Sequence, residues 1–147
     1  MVKLKIVELD SFKVVGIKVV SHWSGLSVEM PKAWQTIHQR VDELKNRTSP
    51  YFYDICLQLV GEEFTQLVGC EVRNLDEIPY NMEGYELPAA SYIYVHHTLP
   101  VEQMYESFEK MYTWAKEHNY TIDPTDFKIQ KTPIDGNNGH HLYLRII

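Results

Sequence analysis

The sequence predicts an α+β fold, a single antiparallel sheet with two helices on one face, built from a strand-helix-strand-strand unit that occurs twice. Three observations predict it. Two stretches repeat apolar residues at intervals of three and four, a strand-like run precedes each, and a pair of further apolar runs follows each. These elements fill all 147 residues, so one domain is expected over 1–147, with pseudo-repeats at about 1–75 and 85–147.

Taken in order, Leu4 to Glu8 alternates weakly and Phe12 to Val20 is rich in β-branched residues, which predicts a first strand pair. His22-Trp23-Ser24-Gly25 reads as a loop. Met30, Trp34, Ile37, Val41 and Leu44 then form a helical stripe, with Pro31 in its first turn and a polar stop at Asn46 to Pro50. Tyr51 to Val60 and Phe64 to Asn74 read as strands joined by Gly61-Glu62-Glu63, followed by a loop through Pro79 and Gly84. The second unit comprises a strand at Tyr92 to His97 and a helix at Val101 to His118, with Met104, Phe108, Met111 and Ala115 on one stripe. Strands at Asp126 to Lys131 and His140 to Ile147 complete it, separated by 133–139. Two helices diverging over one sheet leave a groove between them, and aromatic and Met side chains suit such a groove for small ligands.

Composition narrows the function. A formal net charge of −6 argues against a nucleic-acid-binding surface, which needs clustered Lys and Arg. No apolar run approaches the ~20 residues of a membrane-spanning helix, and Met1-Val2-Lys3-Leu4-Lys5 lacks the unbroken apolar stretch of a secretory signal. A cytoplasmic protein without nucleic-acid or membrane contacts is expected. The two cysteines, Cys56 and Cys70, are expected to be free thiols. Ten Tyr, five Phe and three Trp supply stacking faces with polar tips, suited to flat organic ligands.

Several strings resemble one family. Leu67-Val68-Gly69-Cys70-Glu71-Val72, continuing through Asn74-Leu75-Asp76-Glu77-Ile78-Pro79 and Met82, is similar to the middle of the GyrI-like effector-binding family, especially its free-standing, integron-associated branch. Met30-Pro31-Lys32-Ala33-Trp34, Leu87-Pro88-Ala89-Ala90-Ser91-Tyr92 and Thr125-Asp126-Phe127 match in the same order. The resemblance implies a domain that binds bulky, apolar, often cationic compounds on the sheet between its helices. It also implies three roles among relatives: sensing ligands for transcription activators, free-standing binding, and hydrolysis of cyclopropane-bearing genotoxic alkaloids. Two departures stand out. Lys128 occupies the place where the family usually carries Glu, which predicts a lowered lysine pKa and a groove that prefers neutral or anionic ligands. His140-His141-Leu142-Tyr143 replaces an acidic residue before the final strand.

The candidate ligand-binding residues are therefore Trp23 as a lid, Trp34, Tyr53, Cys70, Tyr92, Phe108, Met111 and Lys128. Trp34 fits a core position equally well, and Tyr53 and Tyr92 face whichever side their strand parity selects. A turn centred near residue 62 or 63 would set Asp54 opposite Glu71 in a solvated pair and send Cys56 and Cys70 to opposite faces. Tyr53, Ile55, Leu57, Leu59, Val68, Cys70 and Val72 would then share one apolar face. His96-His97 and His140-His141 alternate across their strands and read as hydrogen-bonded rather than metal-binding, and no phosphate loop or nucleophile elbow is present. No cofactor or metal is expected, and the sequence identifies no catalytic residue; were the chain an enzyme, it would be a hydrolase. The expected function is a small-molecule-binding domain for an apolar or aromatic ligand, with a regulatory protein as a further partner. The alternatives are a hydrolase of the same family and a protein-partner adaptor.

Overall fold

The computed structural model describes residues 3–136 and 139–147, so Met1 and Val2 of the N-terminal stretch and Asn137 and Asn138 of the 133–139 connection lie outside it. The elements are β1 (Lys5–Leu9), β2 (Phe12–His22), α1 (Trp23–Arg40), β3 (Tyr51–Val60), β4 (Glu63–Val72), β5 (Glu83–Leu87), β6 (Ala90–His97), α2 (Met104–Glu117), β7 (Lys128–Pro133) and β8 (His140–Ile146). All strand pairs are antiparallel, in the order β1-β6-β8-β7-β3-β4-β2-β5. The expected α+β arrangement, with two helices on one face, is therefore present.

Two expectations about elements fail for local reasons. Glu83–Leu87, read as loop, is the edge strand β5, paired with Phe12 to Gly16 of β2. Its five residues are too few for a visible alternation. Trp23 opens α1 instead of lying in a loop, and Pro31 sits inside that helix, where it removes one amide donor. Pro31 therefore does not mark the helix start that the sequence suggests. The final turn of the predicted stripe tightens into a 3-10 turn at Val41–Glu43, which still delivers Leu44 to the core.

The β3–β4 register also differs. Val60 pairs with Glu63 across Gly61-Glu62, with Gly61 at φ 61°, and an irregularity between Cys56 and Gln58 shifts the pairing again. Asp54 consequently faces Val68 on β4 and Gln130 on β7. The predicted Asp54–Glu71 pair does not form, because a strand side chain changes face with every one-residue slip. Phe52, Asp54, Cys56, Val68, Cys70 and Val72 lie on the helix-bearing face, whereas Tyr53, Ile55 and Leu67 lie on the other. Cys56 and Cys70 thus share a face; both are free and buried.

Both faces are packed. Beneath α1, Leu26, Ala33 and Ile37 meet Val15, Phe52, Val68 and Cys70; beneath α2, Met104, Met111 and Ala115 meet Ile93, Val95, Leu142 and Leu144. The opposite face holds a third core that joins Val7 and Leu9 of β1 to Val14 of β2 and Leu87 of β5. Topology explains this. In a flat sheet six strand spacings would separate β1 from β2, about 29 Å. Only Asp10 and Ser11 link them, a reach of about 11 Å. The sheet must curl until its edges approach, enclosing its helix-free face.

Gly16 and Gly69 are directly opposed where β2 and β4 come closest; a Cβ on Gly69 would stand 2.1 Å from the Val15 carbonyl oxygen and 2.6 Å from Gly16 Cα. Backbone cannot yield as a flexible side chain would. Gly69→Ala should destabilise the fold by about 3 kcal/mol, lowering the melting temperature by roughly 10 °C in a thermal scan.

Candidate functional site

The interior of the curled sheet is aromatic because strand parity sends Tyr51 and Tyr53 of β3, Tyr92 and Tyr94 of β6 and Tyr143 of β8 to the same side. A cavity of 180 Å³ opens there, lined by Leu9, Asp10, Ser11, Phe12, Tyr53, Glu71 and Lys131. It lies at the seam where the β1–β2 link meets the centre of the sheet. Tyr53 packs 5.9 Å from Phe12, ring centre to ring centre, and its hydroxyl donates to Glu71 Oε1. Burial, reinforced by the Glu71 carboxylate, raises the Tyr53 pKa and keeps the phenol neutral.

Lys131 has unusual company. Its Nζ stands 5.1 Å from the ring centres of both Tyr53 and Tyr143. Burial lowers its pKa, and the charge of Glu71 only partly offsets that. Behind it, burial pushes Tyr143 up to about 12. His141 extends the network: Tyr94 hydroxyl lies 2.6 Å from its Nδ1 and Tyr51 hydroxyl 3.2 Å from its Nε2, while His96 stacks on it at 4.7 Å. A neutral imidazole donates through one nitrogen and accepts at the other, so both hydroxyls are satisfied. His97 and His140 point the other way, to Ser107 and Thr132. Among the described residues, no His, Cys, Asp or Glu cluster is arranged to hold a metal ion.

The helix-bearing face carries a different constellation. At φ 58°, Asp126 accepts from Lys128 Nζ at 2.5 Å and from the Tyr112 hydroxyl, and Lys128 Nζ also donates to Tyr112 at 3.0 Å. The same ammonium lies 5.7 Å from the Phe108 ring centre. The lowered pKa expected for Lys128 is overturned. Burial does depress it, but the bonds from Asp126 and Tyr112 more than compensate and the net direction is up. Nearby, Asp54 is pushed up to about 6 by burial, against the opposing pull of the Trp34 indole and the Lys128 charge.

The residues singled out from sequence thus divide between two faces. Tyr53 lines the inner cavity, and Tyr92 is buried in the ring cluster behind it, edge-on to Tyr143 at 6.0 Å. Trp34, Phe108 and Lys128 belong to the helix-bearing face, where Trp34 packs edge-on against Phe52 at 5.6 Å. Cys70 and Met111 are fully buried beneath α1 and α2. Trp23 is 75% exposed and leans on Phe64 at the sheet margin, away from the cavity. One groove cannot gather all eight. Phe12, Glu71 and Lys131 line the cavity without standing out in the sequence; the observed β3–β4 parity puts Glu71 on the same side as Tyr53.

The chain matches the model of the GyrI-like small molecule binding domain over residues 3–146. It is 27% identical over 150 residues to the transcriptional regulator BrlR of Pseudomonas aeruginosa, covering 97% of this chain and 54% of that protein. The chain therefore spans about half the length of that curated relative. In fold it is similar to SAV2435, solved with tetraphenylphosphonium, at a TM-score of 0.78 and 11% identity, covering 99% of this chain and 94% of the other. It is similar also to the EcmrR C-terminal domain, at a TM-score of 0.73 and 14% identity, covering 100% and 98%.

The Asp54 carboxyl carries a pH signature. Its folded-state pKa lies above the unfolded value near 3.9, so the native state binds its proton more tightly. The resulting stabilisation is present below about pH 4 and is lost as pH rises through about 6. Relative to the wild type, Asp54→Asn should remove this dependence and gain up to about 3 kcal/mol at pH 7, read by urea melts between pH 4 and 7.5.

Proposed function

The chain belongs to the GyrI-like small-molecule-binding family, and from that premise we propose that it binds an apolar, aromatic ligand in the cavity on its helix-free face, between Phe12 and Tyr53. The observation that carries this reading is a cavity between the rings of Phe12 and Tyr53, edged by Leu9 and by the polar side chains of Asp10, Ser11, Glu71 and Lys131. Concave sites that combine an aromatic wall with a small set of placed polar groups are what small organic ligands select. Of the residues drawn from sequence, Tyr53 is assigned to ligand contact and Tyr92 to the support behind it. Trp34, Phe108 and Lys128 form instead a polar and aromatic cluster on the helix side whose groups engage one another.

The domain reads as the sensing part of a regulatory system in the cytoplasm, where its two buried thiols stay reduced and a protein partner responds to the occupied state. BrlR, a regulator, supports that role by relationship. No described helix is long and apolar enough to cross a membrane.

Calorimetric titration with a flat neutral dye tests the site. Phe12→Ala should weaken binding about tenfold, equivalent to about 1.4 kcal/mol, whereas Trp34→Phe should change it less than about twofold. The reverse pattern would move the ligand to the helix-bearing face, and no binding by wild type at tens of micromolar would remove the reading altogether.

A further inference from the structure

The inner cavity is lined by two opposite charges that make no direct ion pair with each other. Glu71 and Lys131 both line it, yet they form no ion pair within 4.0 Å. Glu71 accepts from Tyr53 through Oε1 and is bonded by no other side chain among the described residues. The Lys131 ammonium is flanked by the rings of Tyr53 and Tyr143 and makes no side-chain hydrogen bond among the described residues. An ammonium over two ring faces is attracted to them, but it keeps its hydrogen-bond donors unused. Lys128, three residues earlier in the same strand, has a carboxylate and a phenol for its donors.

We infer that the cavity selects a zwitterion, an aromatic molecule bearing one acidic group for Lys131 and one ammonium for Glu71. This rests on the ligand site proposed above and narrows its chemistry. A lone cation would meet Glu71 but be repelled by Lys131. A lone anion would meet Lys131 and be repelled by Glu71. Only a molecule carrying both charges gives each group a partner, while its ring occupies the space beside Phe12. With the buried phenols of Tyr53 and Tyr143 neutral, Glu71 and Lys131 are the charges inside the cavity, and Asp10 is the one at its rim. Asp10, exposed at the rim, adds negative charge where an ammonium would enter.

The test holds the ring constant and varies the charge: L-tryptophan, its methyl ester, N-acetyl-L-tryptophan and N-acetyl-L-tryptophanamide are titrated calorimetrically into the full chain. Tryptophan should bind about tenfold more tightly than each of the other three. In Lys131→Gln the zwitterion and the ester should become equal, and in Glu71→Gln the zwitterion and the N-acetyl acid should. Lys131→Arg should retain the wild-type order and guards against a variant that merely unfolds. Equal binding of the neutral amide and tryptophan overturns the inference and leaves the aromatic site standing. So does a singly charged member binding tightest. If all four fail while the neutral dye binds, the inference alone falls; if the dye fails as well, both fall.

Discussion

A two-residue connection governs this molecule. Asp10 and Ser11 tie the strand at one edge of an eight-stranded sheet to the strand next to the opposite edge, and no flat sheet satisfies that tie. Curling brings the edges together with the helices outside. The enclosed face then needs rings and aliphatic chains to fill it, which Tyr53, Ile55, Leu67, Tyr92, Phe127 and Ile129 supply. The opposed glycines at 16 and 69 belong to the same geometry, since β2 and β4 approach too closely there for any Cβ. The cavity remains at the seam, where the link itself forms part of the wall.

With both faces covered, neighbouring residues in the central strands serve different environments. Lys128 and Lys131 of β7 show how far these diverge. On the helix side, Asp126 and Tyr112 stabilise the ammonium of Lys128 and raise its pKa. On the inner side Lys131 has rings for neighbours and a more distant carboxylate, and burial prevails. The loop ahead of β7 is held from both directions. Arg145 pairs with Asp123 and lies 4.0 Å over Phe127, while Asp123 accepts from Thr125. Phe127 is thereby fixed in the inner core and Asp126 turned outward to Lys128.

Much of this architecture is legible in the chain. Apolar periodicity marks both helices because a stripe such as Met104, Phe108, Met111 and Ala115 has to face a sheet, and β-branched content marks the long strands. β5 escapes because five residues with Gly84 inside them carry no period. The site was harder to read for a related reason. A small irregularity at Leu57 decides which of Tyr53 and Asp54 faces inward, and sequence does not announce it. Glu71 therefore looked like a solvated partner of Asp54 when it is the acceptor for Tyr53. The ring-rich composition is silent on which face collects the rings.

The reciprocal placement of the two short edge strands has a consequence for how the protein is made. β1 pairs Lys5 with Tyr94, far along the chain, and β5 pairs back onto β2. Contacts so distant in sequence form late, because a long loop must close before they contribute. Until β6 has emerged, β1 has no neighbour and the tyrosines of β3 face an unclosed surface. Until those pairings close, the ring-rich inner face lies open, and the cavity at the seam takes shape only once the two edges of the sheet have been brought together.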